Sequence, residues 1–518
     1  MEGATRDVKK RRASKPKVRT GCIPCKARRI KCDETKPECY KCQEYGSICA
    51  YQPLRSVPRD RSRHHDLVAI QPHPFHSPSN PHPYSETEAR YHRLFHEKLA
   101  FDLSGYIDSP FWTRLIPQQC HQEPAIRDAV FALSALYKPA ISSPTNTVNL
   151  RDEHVTFALV KQSRAISSLR KAINKGEPEM RRLALVGSLL FSCFESLQGR
   201  WEEAMQWVYN GVRIWRGLNE GERCSAAGFA DVSLEVGMTF RRLEMQILSF
   251  LAMNPMLEHP FDDMMGNEIT LDMPDQFATF QEAFTAATNL AVAIFRHLRT
   301  SARCGDTPTY TNFLQNQQHH LQERLSQWNQ FYDLLFPHIC QTPINRAYLG
   351  ALQLRICMWK CEIMIATSLS DSESVYNNYT PEFQRITHFA RHLLRTDQMV
   401  RNARMQYGMG VSMALFFAAT RCRDGGIRRE AIRILREWPA GNGIWHSLQA
   451  AVVAEWVVGL EERGVTGAVD GGKFIPEDGR VQLRSLKVVA EDGGMEVECL
   501  QYSGNGGLEP RRANLRWV

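Results

Sequence analysis

Apolar residues recur along most of this chain at the spacing of one helix face. Ile126, Val130, Leu133 and Tyr137 step by four, three and four, behind Pro124 in a first turn. Val155, Leu159, Gln162, Ile166, Leu169 and Ile173 repeat the pattern. Leu183, Val186, Leu190, Phe194 and Leu197 follow and stop at Gly199; Trp201, Met205, Val208, Val212 and Trp215 stop at Gly217. Similar patterning near 321–336, 347–367, 384–400 and 445–460 predicts a large all-helical domain over 86–460, long enough to bury a substantial core. The segment 461–518 differs. Val481, Leu483, Leu486 and Val488 precede Gly493-Gly494, and Met495, Val497 and Cys499 alternate after it, which predicts a C-terminal β-hairpin. Gly504-Asn505-Gly506-Gly507 reads as a loop.

The first 85 residues carry no such periodicity. Residues 52–85 are rich in Pro, His, Ser and Arg and read as a flexible linker. Its histidines, His64, His65, His73, His76 and His82, sit irregularly among prolines, so a linker explains them better than a metal site. Residues 1–20 are a basic arm containing Lys9, Lys10, Arg11, Arg12, Lys15 and Lys17, a pattern that fits a nuclear localisation signal and added phosphate contacts. The fold class is therefore mostly α: a small cysteine module at 21–51, a linker, a helical body and a terminal hairpin.

Charge sharpens this division. The chain of 518 residues has a formal net charge of +8. Residues 1–63 hold 18 Lys/Arg against 7 Asp/Glu, whereas the rest holds 46 against 49. A basic surplus confined to one end is the footprint of a nucleic-acid-binding segment. No apolar run approaches the roughly 18 residues of a membrane span, and no secretory signal is expected at the basic start. Nine of the 15 cysteines are scattered and read as buried small hydrophobes, Cys357 and Cys361 among them. Trp201 and Trp215 fall on an apolar stripe, so the Trp201, Trp207 and Trp215 set reads as core.

The other six cysteines form a repeat: Cys22-x2-Cys25-x6-Cys32, then Cys39-x2-Cys42-x6-Cys49. Zinc takes four thiolates in a tetrahedron. Six cysteines complete one site with two to spare, or two sites if two sulfurs each bridge both metals. A module with so few apolar residues would draw most of its folding energy from metal. The two x6 spacers differ: Lys-Ala-Arg-Arg-Ile-Lys in the first, Gln-Glu-Tyr-Gly-Ser-Ile in the second. Metal binding does not require that difference, but DNA binding accounts for it.

Residues 22–49 resemble the fungal Zn(2)-Cys(6) binuclear zinc cluster in all six cysteines, the basic run 26–31, Asp33 and Pro37. The resemblance implies two Zn2+ ions, with Cys22 and Cys39 as the bridging sulfurs. One zinc would take Cys22, Cys25, Cys32 and Cys39, and the other Cys39, Cys42, Cys49 and Cys22. It implies a short helix in the major groove of double-stranded DNA, with Arg28 and Arg29 at base-reading positions and a CGG triplet as target. Lys26 and Lys31 would meet phosphates. More weakly, 86–460 resembles the helical regulatory region of fungal zinc-cluster transcription factors through the stretches 109–115 and 189–199, and the tail from Pro476 resembles the end of such proteins. Regulation by a ligand, or by partners such as co-regulators or the transcription machinery, is implied. The prolines of 50–85 leave no coiled-coil heptad, so either one triplet is bound by a monomer or the helical domain makes a homodimer.

The expectation is a nuclear, zinc-dependent, sequence-specific regulator of RNA polymerase II transcription, and not an enzyme. No G-x-x-x-x-G-K-[ST], H-E-x-x-H or G-x-S-x-G motif is present. The alternatives are a nuclear scaffold whose zinc module binds DNA without selectivity, and an enzyme whose helical body acts on a small molecule.

Overall fold

The computed structural model describes residues 20–28, 30–45, 49–51, 84–107, 109–142, 152–174, 180–218, 233–255, 257–264, 271–303, 308–341, 345–370, 372–396, 410–438, 441–442, 445–463, 475–489, 494–502 and 507–516. The chain divides into two compact units, 1–79 and 80–518. The basic arm with Lys9, Lys10, Arg11, Arg12, Lys15 and Lys17, positions 52–83 of the linker 52–85, and Arg29 lie outside the described residues.

Among its described residues the first unit has two short helices, α1 (Ile23–Ala27) and α2 (Tyr40–Tyr45). The second is mostly helical. After α3 (Glu86–Leu94), α4 (Ala100–Ser104) and α5 (Ile116–Gln122) come the long α6 (Pro124–Ser142), α7 (Glu153–Asn174), α8 (Met180–Leu197), α9 (Trp201–Gly217) and α10 (Ser233–Met253). Then follow α11 (Phe280–Ser301), α12 (Pro308–Cys340), α13 (Arg346–Ala366), α14 (Thr380–Thr396), α15 (Val411–Arg421), α16 (Gly425–Glu437) and α17 (Ser447–Glu462). Helices close in sequence pack on each other, as in α6 on α7, α8 on α9 and α11 on α12.

Local chemistry sets the helix ends. Ser85 and Glu88 form a reciprocal capping box on α3, and Thr279, Asn345 and Asp424 accept from backbone N–H groups at the starts of α11, α13 and α16. Gly199, with φ of 73°, follows the end of α8. One continuous core fills the unit. In it Trp328 stacks on Tyr332 at 4.5 Å between ring centroids, its Nε1 donating to the Ala283 carbonyl at 2.9 Å.

The sequence stripes on α6 and α8 are buried. On α7 Val155, Gln162 and Leu169 of the stripe are buried and Leu159 is exposed, with Ala158, Lys161 and Ala165 also on the buried side. Lys161 Nζ is held on that side by Glu88 and Asp128, at 2.6 and 2.8 Å. Trp201 is buried, and Trp207 and Trp215 are half-buried against the core. The described scattered cysteines carry free thiols, buried except for Cys340.

The tail forms three strands, not two: β3 (Val481–Val489), β4 (Gly494–Tyr502) and β5 (Leu508–Arg516), all antiparallel, preceded by the two-residue pair β1 (Gly441–Asn442) and β2 (Trp445–His446). A register shift between Leu483 and Ser485 explains why the apolar positions move from odd to even along β3. Buried charge fastens the sheet to the helices. Glu461 accepts from the Val481 N–H at 2.9 Å and Arg423 Nη1 at 3.3 Å, and forms an ion pair with Arg428, whose Nη2 lies 2.6 Å away. The Leu486 N–H donates to Asn254 at 2.8 Å.

Candidate metal centre and nucleic-acid interface

The repeat in sequence is a repeat in space. The Cys22 carbonyl accepts from the Lys26 N–H at 3.1 Å, and the Cys39 carbonyl accepts from the Gln43 N–H at the same distance. Each half therefore begins a helical turn at its first cysteine, with Pro24 in the first turn of α1. The Ile23 N–H donates to the Ala50 carbonyl at 2.8 Å and closes the module.

These turns bring the sulfurs together. Cys22 Sγ lies 3.6 Å from Cys39 Sγ and from Cys42 Sγ, and 3.7 Å from Cys32 Sγ; Cys25 Sγ lies 3.6 Å from Cys39 Sγ. Two groups of four result: Cys22, Cys25, Cys32, Cys39 and Cys22, Cys39, Cys42, Cys49. Cys22 and Cys39 belong to both. A disulfide needs sulfurs about 2.05 Å apart. Four thiolates on one zinc, with bonds of about 2.3 Å, stand about 3.8 Å apart. The spacing fits two tetrahedral ions sharing an edge. Among the module's described residues, the buried apolar set is five of these cysteines, with Cys49 and Tyr51 packed against it.

Burial pushes the Cys22, Cys25, Cys39 and Cys42 thiols up. Bound cations would offset that cost. At Cys32 burial is outweighed by backbone N–H donors, Glu34 at 3.3 Å among them, and its thiol is lowered to about 7. The Cys39 N–H, 3.3 Å from Cys49 Sγ, lowers the Cys49 thiol. Hydrogen bonds from Thr35 Oγ1 at 2.6 Å and the Tyr40 N–H at 3.0 Å hold the Asp33 carboxyl well below its usual range. Asp33 thus anchors the start of α2 from the other half.

Lys26 and Lys31 are exposed. Arg28 is half-buried: its Nη2 donates to the Lys41 carbonyl at 3.0 Å, and its guanidinium sits 4.3 Å from the Tyr45 ring centroid. The basic spacer alone gave no sign of this brace, because its partners lie in the second half. Lys41 itself pairs with Glu44 at 3.0 Å.

A thiol cluster of this kind, two tetrahedra sharing two sulfurs, defines a binuclear metal–thiolate module. Residues 20–56 match the fungal Zn(2)-Cys(6) binuclear cluster domain. The chain carries that domain, with its binuclear zinc centre, and has homologues named as transcription regulators or factors over 62% and 39% of its length. It is 25% identical over 349 residues to the aspercryptin biosynthesis cluster-specific transcription regulator atnN of Emericella nidulans, covering 62% of this chain and 55% of that one. It is 28% identical over 210 residues to the Zn(2)-C6 fungal-type transcription factor afumD of Aspergillus fumigatus, covering 39% and 53%. White-opaque regulator 2 of Candida albicans is 48% identical over 58 residues, 11% of this chain and 13% of its own. The chain thus spans about half the length of the first and second of these relatives. They are transcription regulators by name, not enzymes. No solved structure matches the chain. No described helix is long and apolar enough to cross a membrane.

Proposed function

We propose that this protein is a nuclear, sequence-specific regulator of RNA polymerase II transcription that reads a CGG-type triplet. Cys22, Cys25, Cys32, Cys39, Cys42 and Cys49 hold two zinc ions, Cys22 and Cys39 bridging. The ions neutralise thiolates and supply the module's folding energy. The single observation behind the reading is the exposed Lys26 in α1 and the exposed Lys31 after it, in a spacer whose counterpart in the second half carries Gln43 and Ile48 at those positions. Lys26 and Lys31 meet phosphates, and Arg29 reads base edges through guanine O6 and N7. Arg28 reads bases on exchanging Tyr45 and the Lys41 carbonyl for DNA. The arm with Lys9, Lys10, Arg11, Arg12, Lys15 and Lys17 directs nuclear import. The helical body receives a ligand or co-regulator, and the absence of a heptad at 50–85 leaves dimerisation, where it occurs, to that body.

Competition binding by the full chain tests the reading. CGG-containing duplexes should outcompete scrambled ones. Arg29→Ala should relax that preference by about 1–3 kcal/mol, and Lys31→Ala should weaken all duplexes alike and lower the salt slope by about 1. Equal binding to both duplexes by the unaltered chain would favour the scaffold alternative instead.

A further inference from the structure

Inside the helical unit one lysine is buried without a carboxylate. Lys360 lies on α13 and is 4% exposed. Its Nζ sits 4.5 Å from the centroid of the Phe295 ring on α11. Among the described residues that ring face is its partner, and no acidic side chain pairs with it. Glu244 on α10 is engaged by Arg216, Arg241 and Arg296. Burial pushes the Cys357 thiol up to about 12 and raises the Cys361 thiol as well, so neither neighbour on α13 is a thiolate at neutral pH. A ring face repays only part of the cost of taking an ammonium out of water.

Lys360 lines a cavity of about 30 Å³ between α10, α11, α13 and the start of α15. That is room for about two waters or one small ion. Met245, Phe295 and Met413 give it apolar walls, and Gln246 and Ser249 polar ones. Gly410 lines it too, as the N-cap of the 11-residue α15, and no side chain caps that end. The first turn of a helix carries N–H groups without intrahelical partners and the positive end of its dipole. A buried cation and a helix N-terminus therefore converge on one small space, the setting in which anions bind.

We propose that this cavity binds a small monoanion, a carboxylate or a halide, between Lys360 Nζ and the start of α15. The proposal gives a chemical class to the ligand of the helical body, and so rests on that part of the reading above. One cation and a space of this size select a single charge and few atoms over a phosphate or sulfate. A bound anion ties α13 to α15 and stabilises the unit by mass action.

The test uses the full chain, zinc-loaded, dialysed against labelled acetate graded to about 10 mM, a range set by the affinity ceiling of so small a ligand. Sulfate holds the ionic strength. The unaltered chain should take up one acetate. Lys360→Met, which keeps the length of the side chain without its charge, should weaken uptake by more than about 10-fold, the loss of one charge-assisted contact. Acetate should raise the thermal midpoint of the unaltered chain and not that of the variant. In sulfate alone Lys360→Met should melt no lower than the unaltered chain, because it removes an unpaired buried charge. If Lys360→Met does not fold, Lys360→Gln carries the comparison. Displacement of acetate by chloride extends the site to halides, and resistance to chloride confines it to carboxylates; either supports the proposal. Equal uptake by the unaltered chain and the variant overturns it, as does the absence of uptake, in which case Lys360 serves only to pack on Phe295. Duplex binding and zinc content, measured on the same samples, separate that failure from a failure of the DNA-binding reading.

Discussion

Replacing Cys39 by serine should cost the module both of its zinc ions, whereas replacing Cys49 should cost one. Cys39 belongs to both four-sulfur groups and Cys49 to one. Cys39 is fully buried, its sulfur 3.6 Å from those of Cys22 and Cys25. The energy at stake is large for so small a unit. Structural zinc contributes about 10–16 kcal/mol in comparable peptides, against a total stability of about 5–15 kcal/mol for a whole domain. The only buried apolar side chains described in the module are its cysteines. Nothing there replaces the metal, so Cys39→Ser should unfold residues 20–51 and abolish DNA binding, while 80–518, with its own core, stays folded. Elemental zinc per chain, relative to the unaltered protein, is the first readout and duplex binding the second. Should the two variants lose the same amount of zinc, or Cys39→Ser keep its full complement, the shared-sulfur arrangement is wrong.

Three further perturbations probe other parts of the molecule. A Cβ on Gly21 would sit 2.9 Å from the Cys32 Cβ, so Gly21→Ala should cost about 1–3 kcal/mol of overpacking and speed zinc loss to a chelator; an unchanged rate would show that the close approach is not a constraint. Glu461 and Arg428 have fully buried side chains 2.6 Å apart, so Glu461→Gln should destabilise the helical unit by about 3–5 kcal/mol in urea, and a change below about 1 kcal/mol would rule out a dry ion pair. Burial holds the His259 imidazole down, to about 4 from 6.5, while its Nδ1 accepts from the Phe261 N–H at 3.2 Å. The unfolded chain therefore binds more protons, and stability present above about pH 6.5 should be lost as pH falls toward 4. His259→Gln should flatten that part of the melting profile, and an identical slope would exclude His259 as its source.

Much of this architecture is legible in the sequence where one physical cause dominates. The stripe Ile126, Val130, Leu133, Tyr137 is buried as read, because apolar burial alone orients α6. On α7 a buried lysine, held by Glu88 and Asp128 on other helices, shares the buried side, and periodicity, which cannot see them, misplaces Leu159. The third tail strand escapes for a related reason. β5 carries Glu509, Pro510, Arg511 and Arg512 and buries little, so it has no alternation to read. Among the described strands it pairs only with β4, and charge and proline are the marks of a protected edge.

The six-cysteine spacing announces the metal centre because ligand number and geometry are properties of the motif itself. The division of labour within the module is a different matter. By spacer composition the first half would bind DNA and the second would only hold zinc. In space the halves brace each other: Asp33 of the first anchors α2, and Arg28 of the first lies on Tyr45 and the Lys41 carbonyl of the second. A guanidinium so held cannot lie in a groove at the same time. Binding of DNA through Arg28 must therefore break contacts that Arg29 would not have to break on that account. Tyr45→Ala removes the aromatic brace, worth about 0.5–1 kcal/mol at an exposed site. If Arg28 reads a base, that substitution should tighten CGG binding by up to about five-fold, since 1.4 kcal/mol is a factor of ten. If Arg28 serves the module alone, Tyr45→Ala should leave affinity unchanged or lower it, and base recognition would pass to its neighbour.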